Sequence, residues 1–206
     1  QMKFRFVSMA SHEFRTPLST ILSSVSLISR YTKEEEQPKR DKHINRIKSS
    51  ISNLTIILND FLSVEKLESG RIEIKEESFD LNHICAQVIE DLRGVLKKDQ
   101  EIHFSPARDI HMVKLDRQLL SNAIINLLSN ASKYSDQGQE IILKIDATAD
   151  SFTIHVIDEG IGIPASEQEH LFERFFRAQN AFNIQGTGLG LSITKKYTEL
   201  MGGEIS

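Results

Sequence analysis

The chain has 206 residues, room for one or two domains. Hydrophobic residues at 39% and charged residues at 26% give the balance of a folded domain, which excludes a disordered or fibrous chain. A formal charge of −4 gives no bulk attraction to nucleic acid or anionic lipid, and the single cysteine, Cys85, has no partner for an internal disulfide. No apolar run approaches the ~20 residues of a membrane span. The expectation is a cytoplasmic chain with no nucleic-acid partner and no membrane contact by this stretch. Residues 1–7 read as the middle of a helix, so further chain is expected upstream.

Two heptad segments open the sequence. Val7, Phe14, Ile21 and Ile28 recur every seven residues and interleave with Leu18 and Val25. Ile44, Ile51 and Leu58 interleave with Ile47, Leu54 and Phe61 in the same way. Each set forms one narrow apolar stripe on a helix. The charged stretch around Pro38, residues 33–40, reads as a turn between antiparallel helices. One such hairpin has too little core to stand alone, whereas two hairpins from two chains bury every stripe in a four-helix bundle. An intramolecular coiled-coil stalk is the alternative.

Beyond Gly70, a plausible helix stop, the pattern changes. Residues 71–75 alternate like a strand, 82–98 read as an amphipathic helix, and 101–104 and 111–115 as short strands. Asp116 stands at the N-cap of a helix running to about Lys133. Residues 141–147 and 152–157 read as paired strands, and a last helix covers about 189–201. The fold class is α+β: a helical hairpin forming a dimeric four-helix bundle over 1–70, then an α/β sandwich over 71–206.

Three groups of residues carry chemistry. In Ser11-His12-Glu13-Phe14-Arg15-Thr16-Pro17-Leu18, His12 lies one position past a seam site and faces solvent. Pro17 removes a backbone donor and crowds the Glu13 carbonyl, which bends the helix; the plainer reading is a surface His beside an incidental kink. Asn122, Asn126, Asn130 and Lys133 line one helical face. A stripe of neutral oxygens ending in an ammonium suits a divalent cation bridging to phosphates, although a polar solvent face has the same composition. Asp158-Glu159-Gly160-Ile161-Gly162 follows a strand, and Gly186-Thr187-Gly188-Leu189-Gly190 opens the last helix. Glycines admit a ligand close to the backbone, and helix N-terminal amides attract phosphate. No Lys-Ser or Lys-Thr follows Gly190, so the second cluster is not a P-loop. Phe172, Phe175 and Phe176 between the clusters are either core or the anchor of a mobile lid.

The order of these motifs resembles that of the histidine kinases of two-component systems. The H box falls on residues 11–18, the N box on 126–133, the G1 box on 158–162, the F box on 172–177 and the G2 box on 186–190. The resemblance covers essentially the whole chain. It implies a dimerisation and histidine-phosphotransfer hairpin followed by a Bergerat-type ATP-binding domain, with ATP and Mg2+ as cofactors. Its partners would be a second copy of the chain and a response-regulator receiver domain, and the chain would be cytoplasmic, on its own or as the cytoplasmic portion of a membrane sensor.

By that resemblance His12 is the phosphoacceptor and Glu13 orients and activates its imidazole. Asn130 is the main magnesium ligand with Asn126 beside it, and Lys133 and Tyr134 contact phosphate and nucleotide. Asp158 accepts from the adenine amino group, and Gly160 and Gly162 let the base seat. Gly186, Thr187, Gly188, Leu189 and Gly190 hinge the lid and close on the phosphates, with Arg177 a further contact. Thr16, three residues after Glu13, matches the Glu-x-x-Thr pattern of family members that also dephosphorylate their regulator. The family's catalytic domain continues past residues 202–206 with further strands, so a shortened sheet is expected here.

Two other readings compete. Hydrolytic ATPases of the same superfamily place a glutamate where Asn126 stands, and an amide cannot activate water as a carboxylate does. A catalytically silent dimeric scaffold would have no use for His12, Glu13, Asn130, Asp158 and the G2 glycines together.

Overall fold

The computed structural model describes residues 2–70, 72–108, 112–148, 150–184 and 186–206, with the side chains of residues 2–10 and 12 outside the description. Residue contacts divide the chain into two compact units: 1–70 with the short segment 185–187, and 71–184 with 188–206.

The first unit is a helical hairpin of α1 (Met2–Ile28) and α2 (Gln37–Glu68). Pro17 lies inside α1 and is buried. The turn is shorter than the charged stretch implied. A 3-10 turn occupies Glu34–Glu36, and α2 already begins at Gln37 with Pro38 in its first turn. Proline is tolerated there because first-turn N–H groups have no intrahelical acceptor. Arg40 closes the turn by donating from Nη1 to Tyr31 O at 2.6 Å and Lys33 O at 3.0 Å.

Within the hairpin the buried residues of α2 are His43, Ser50, Ile57, Phe61 and Val64, and Phe14 of α1 meets the Phe61 ring at 6.0 Å. Only Phe61 of these belongs to the second heptad stripe. Leu18 at 54%, Val25 at 51%, Ile51 at 52% and Leu58 at 50% remain exposed in the single chain. Phe14 and Phe61 thus help close the hairpin, while other heptad residues of both helices stay exposed.

The second unit opens with β1 (Glu76–Asp80) and α3 (Leu81–Leu92), continues through β2 (Glu101–Ser105) and β3 (Met112–Asp116), and reaches α4 (Arg117–Tyr134). β4 (Glu140–Ala147), β5 (Phe152–Asp158) and α5 (Gly190–Leu200) follow. β1 and β3 form an antiparallel two-stranded sheet; β2, β4 and β5 form a second sheet in which β2 runs parallel and β5 antiparallel to β4. On β4 Ile141, Leu143 and Ile145 alternate inward. They meet Leu81, Ile84, Cys85 and Val88 of α3 and Ile124 and Leu128 of α4 in one core. Burial pushes the Cys85 thiol up to about 12, so it behaves as a small apolar side chain.

Two expected elements move. The strand read at 71–75 lies at Glu76–Asp80, where Phe79 stands opposite Val113 of β3. Alternating charge is shared by any exposed extended segment, and pairing with β3 decides which residues become strand; Arg71 lies outside the described residues. The helix read to 98 stops at Leu92, just before Gly94, a poor helix former. Of the strand read at 111–115, residue 111 lies outside the described residues and the remainder belongs to β3.

Candidate functional site

Aspartates start both inner helices. Asp80 Oδ1 accepts from His83 N at 3.0 Å, and Asp116 Oδ1 accepts from Leu119 N at 3.0 Å. Asp116 also accepts at Oδ2 from Lys75 N, 2.8 Å, so one buried carboxylate fixes both the start of α4 and the chain entering β1. The far end of α4 is held as firmly. The buried Gln100 donates from Nε2 to Ser132 O at 3.1 Å and Asp136 O at 2.8 Å, and receives the Ser132 hydroxyl at 2.7 Å. Lys97 Nζ donates to Lys133 O and Ser135 O at 2.8 and 2.6 Å.

The loop after β5 docks onto this anchored end. Ile161 N donates to Tyr134 O at 3.1 Å, and a Cβ on Gly160 would stand 2.6 Å from the same carbonyl oxygen. Only glycine lets the backbone pass so close. Asp158 Oδ1 accepts from Gly160 N at 2.8 Å, which turns the loop and holds the exposed carboxylate in place. Gly162 takes a φ of +64°, and Asn180 Nδ2 donates to its carbonyl at 2.9 Å. Lys133 Nζ lies 4.8 Å from the centre of the Tyr134 ring.

The segment entering α5 is built around two more close approaches. Gly188, with φ +67°, passes Phe175 and Phe176 so tightly that a Cβ would stand 2.7 Å from Phe176 O. Phe175 N donates to Gly188 O at 2.8 Å, and Phe175 itself has a φ of +65°. The three phenylalanines are half-buried, and Phe175 and Phe176 pack against Gly188. Leu189 is fully buried. Gly190 abuts Asn126 of α4: a Cβ there would stand 2.5 Å from Asn126 Oδ1.

α4, the loop at 158–162 and the first turn of α5 therefore meet along one side of the second unit. The two asparagines expected to work together differ. Asn126 is tied to α5 through its amide, donating to Gly190 O and Thr194 Oγ1. Asn130, half-buried, makes no side-chain hydrogen bond among the described residues. Asn122, outside the family motif, accepts from Gln118 Nε2 at 3.0 Å.

Several other expected site residues have contacts of their own. Arg177 turns its guanidinium onto the carbonyls of Ala181, Phe182 and Ile184, closing the loop that follows it. Gly186 and Thr187 group with the first unit, in which Thr187 Oγ1 donates to Asp60 Oδ2 at 2.8 Å. In α1, Glu13 is half-buried and Thr16 exposed; the His12 side chain lies outside the described residues. The sequence reading missed Gln100 and Lys97, whose only signal was polar side chains just before a strand. It also missed Thr194. Among the described residues, no helix is long and apolar enough to cross a membrane.

This geometry can be set beside known proteins. Residues 2–70 match the model of the His Kinase A (phospho-acceptor) domain. Residues 115–206 match that of the histidine kinase-, DNA gyrase B- and HSP90-like ATPases. The chain is 36% identical over 214 residues to the sensor histidine kinase RcsC of Escherichia coli K12, covering 100% of this chain and 22% of RcsC. It is similar to full-length ShkA solved with AMPPNP, at 26% identity and a TM-score of 0.64 over 96% of this chain and 41% of that one. The fold is also that of histidine kinase ThkA solved with the response regulator protein TrrA, at 24% identity and a TM-score of 0.67 over 97% of this chain and 55% of that one.

Proposed function

The chain belongs to the sensor histidine kinases, and on that footing we propose that it moves the γ-phosphoryl group of ATP onto His12 and passes it to a response-regulator aspartate. The observation that supports this most is the meeting of three features in the second unit: a half-buried Asn130 whose amide has no hydrogen-bond partner among the described residues, a loop that only Gly160 can bring onto Tyr134, and the glycine-led first turn of α5.

These residues fit a magnesium nucleotide. Asp158 keeps Oδ1 on Gly160 N, and its exposed carboxylate is the acceptor for the exocyclic amine of adenine. Gly160 lets the loop seat on Tyr134, and Gly162, with nothing within 4 Å of its Cβ position, leaves space for the base. Gly188, Leu189 and Gly190 lead into α5, whose first amides attract phosphate, and Lys133 adds a positive charge. Magnesium, held through the Asn130 carbonyl oxygen, would neutralise charge on the phosphates.

In the transfer, the bond from the γ-phosphorus to the bridging oxygen breaks as the bond to the His12 imidazole forms, and ADP leaves. Glu13, adjacent on α1, holds the imidazole proton and keeps the attacking nitrogen's lone pair available. Catalysis of this kind is mostly positioning and charge stabilisation.

The exposed heptad face of the hairpin is covered, in this reading, by a second copy of the chain. The receiver domain docks beside the H box, over the groove where Thr20 and Ser23 of α1 face Asn45, Arg46 and Ser49 of α2. Thr16, exposed on α1, gives the same surface a hydroxyl for the reverse reaction, removal of phosphate from the regulator.

Incubation with γ-labelled ATP and magnesium tests the reading. A phosphoramidate label is lost in acid and kept in alkali. Asn130→Ala abolishes it with the fold intact, and Asp158→Ala removes the preference for ATP over GTP. A label that survives acid overturns the proposal.

A further inference from the structure

Asn126 makes two donations at once: its Nδ2 lies 2.6 Å from Gly190 O and 3.1 Å from Thr194 Oγ1. Thr194 Oγ1 in turn donates to Gly190 O at 3.1 Å, so its single proton points there and a lone pair faces the asparagine. These partners fix the orientation of the amide, because an oxygen turned toward Gly190 O would set acceptor against acceptor. Oδ1 is then the atom that packs on Gly190: a Cβ there would stand 2.5 Å from Oδ1, 3.0 Å from Nδ2 and 3.1 Å from Cγ. Thr194 is 1% exposed. The result is a closed ring of three hydrogen bonds, two of which cross from the middle of α4 to the start of α5. Asn130, one helical turn further along α4, has nothing of the kind among the described residues.

We propose that Asn126 is a positioning residue and not a second magnesium ligand: it fastens Gly190, and with it the first turn of α5, beside Asn130, and it is the reason residue 190 is glycine. Magnesium demands oxygens at about 2.0–2.1 Å in near-octahedral array. An amide whose nitrogen is committed to α5 and whose oxygen packs beside Gly190 could swing toward a metal only by giving up both donations. The fastening acts by placement. It sets where the polarised amides at the α5 N-terminus stand relative to Asn130, which matters where small displacements of a binding group weaken a site strongly. The proposal rests on the nucleotide-site reading for what is being positioned, but the link itself needs neither nucleotide nor metal.

The test begins with melting of the 206-residue chain in the absence of nucleotide and magnesium. Asn126→Ala is expected to lower the melting temperature by about 3–6 °C, the scale of a lost buried hydrogen-bond pair in a domain of this size. Asn130→Ala is expected to leave it within about 1 °C, the shift of a change that breaks no hydrogen bond among the described residues. Gly190→Ala lowers it in the wild-type background but by less than half as much beside Asn126→Ala, because the atoms the new methyl would meet are gone. Magnesium is then titrated against a fluorescent ATP analogue. Asn126→Ala weakens analogue binding without moving the magnesium concentration at half-saturation, whereas Asn130→Ala moves it.

Asn126→Ala with wild-type melting and a raised magnesium requirement overturns the proposal, as do fully additive losses for Asn126→Ala and Gly190→Ala. Should the alanine variant not fold, Thr194→Val supplies the test: lower melting with an unmoved magnesium requirement supports the fastening, and unchanged melting overturns it. Absence of ATP binding in the wild type would defeat the nucleotide reading while leaving the melting comparison to decide the link.

Discussion

A methyl group on Gly160 would stand 2.6 Å from the carbonyl oxygen of Tyr134, well inside van der Waals contact. That carbonyl ends α4 and already receives Ile161 N, so the loop after β5 has one seat and no slack. Gly160→Ala is expected to lift the loop, displace Asp158 and weaken ATP binding by at least about tenfold, the equivalent of one lost charge-assisted contact. Gly162→Ala meets nothing within 4 Å and bears only the strain of its φ of +64°. Its loss is expected to be smaller, since a non-glycine residue there costs about 1–2 kcal/mol. Displacement of a fluorescent nucleotide measures both, and the reverse order of effect contradicts the seating.

Asp116 joins two segments through one carboxylate, capping α4 at Leu119 N and holding Lys75 N at 2.8 Å. Asp116→Ala removes both acceptors from a buried position and is expected to destabilise the fold by about 2–4 kcal/mol. Asp116→Asn keeps an acceptor oxygen and is expected to lose about half as much. Urea unfolding reads the difference. Equal losses would show that the acceptor oxygen Asn retains contributes nothing.

What the sequence showed and what it hid follow from range. Asp116 as an N-cap, the glycine clusters and the two helical heptads are local patterns, and the structure places each on the expected kind of element. The seat of Gly160 on Tyr134 and the link from Asn126 to Gly190 join residues far apart in the chain. Spacing put Asn126 and Asn130 on one face but cannot tell which of them is consumed by packing against α5. The strand expected at 71–75 moved to β1 for a similar reason, since its partner β3 lies outside any local window.

The heptad face bears on assembly. With Leu18, Val25, Ile51 and Leu58 half-exposed, a lone chain would present large apolar side chains to water on both helices. The chain is expected to run as a dimer by light scattering at micromolar concentration. Replacing Ile51 and Leu54 with Gln is expected to remove the dimer and most of the hairpin helicity together, since each buried aliphatic side chain contributes about 1.5–3 kcal/mol. A folded wild-type monomer contradicts this.

Thr16 is exposed on α1, four residues after His12 and so near the same helical face. Thr16→Ala is expected to keep autophosphorylation and to slow dephosphorylation of a phosphate-loaded regulator by at least about tenfold, the scale of one positioned hydrogen bond. Unchanged dephosphorylation with reduced kinase activity would assign the hydroxyl to phosphotransfer instead.

The central claim concerns one imidazole. Wild type and His12→Gln are incubated with γ-labelled ATP and magnesium, and the phosphate is located by mass spectrometry under alkaline handling. The account predicts phosphohistidine at His12 in the wild type and no label in the variant, with ATP affinity the same in both. Labelling of His12→Gln at the wild-type level contradicts it.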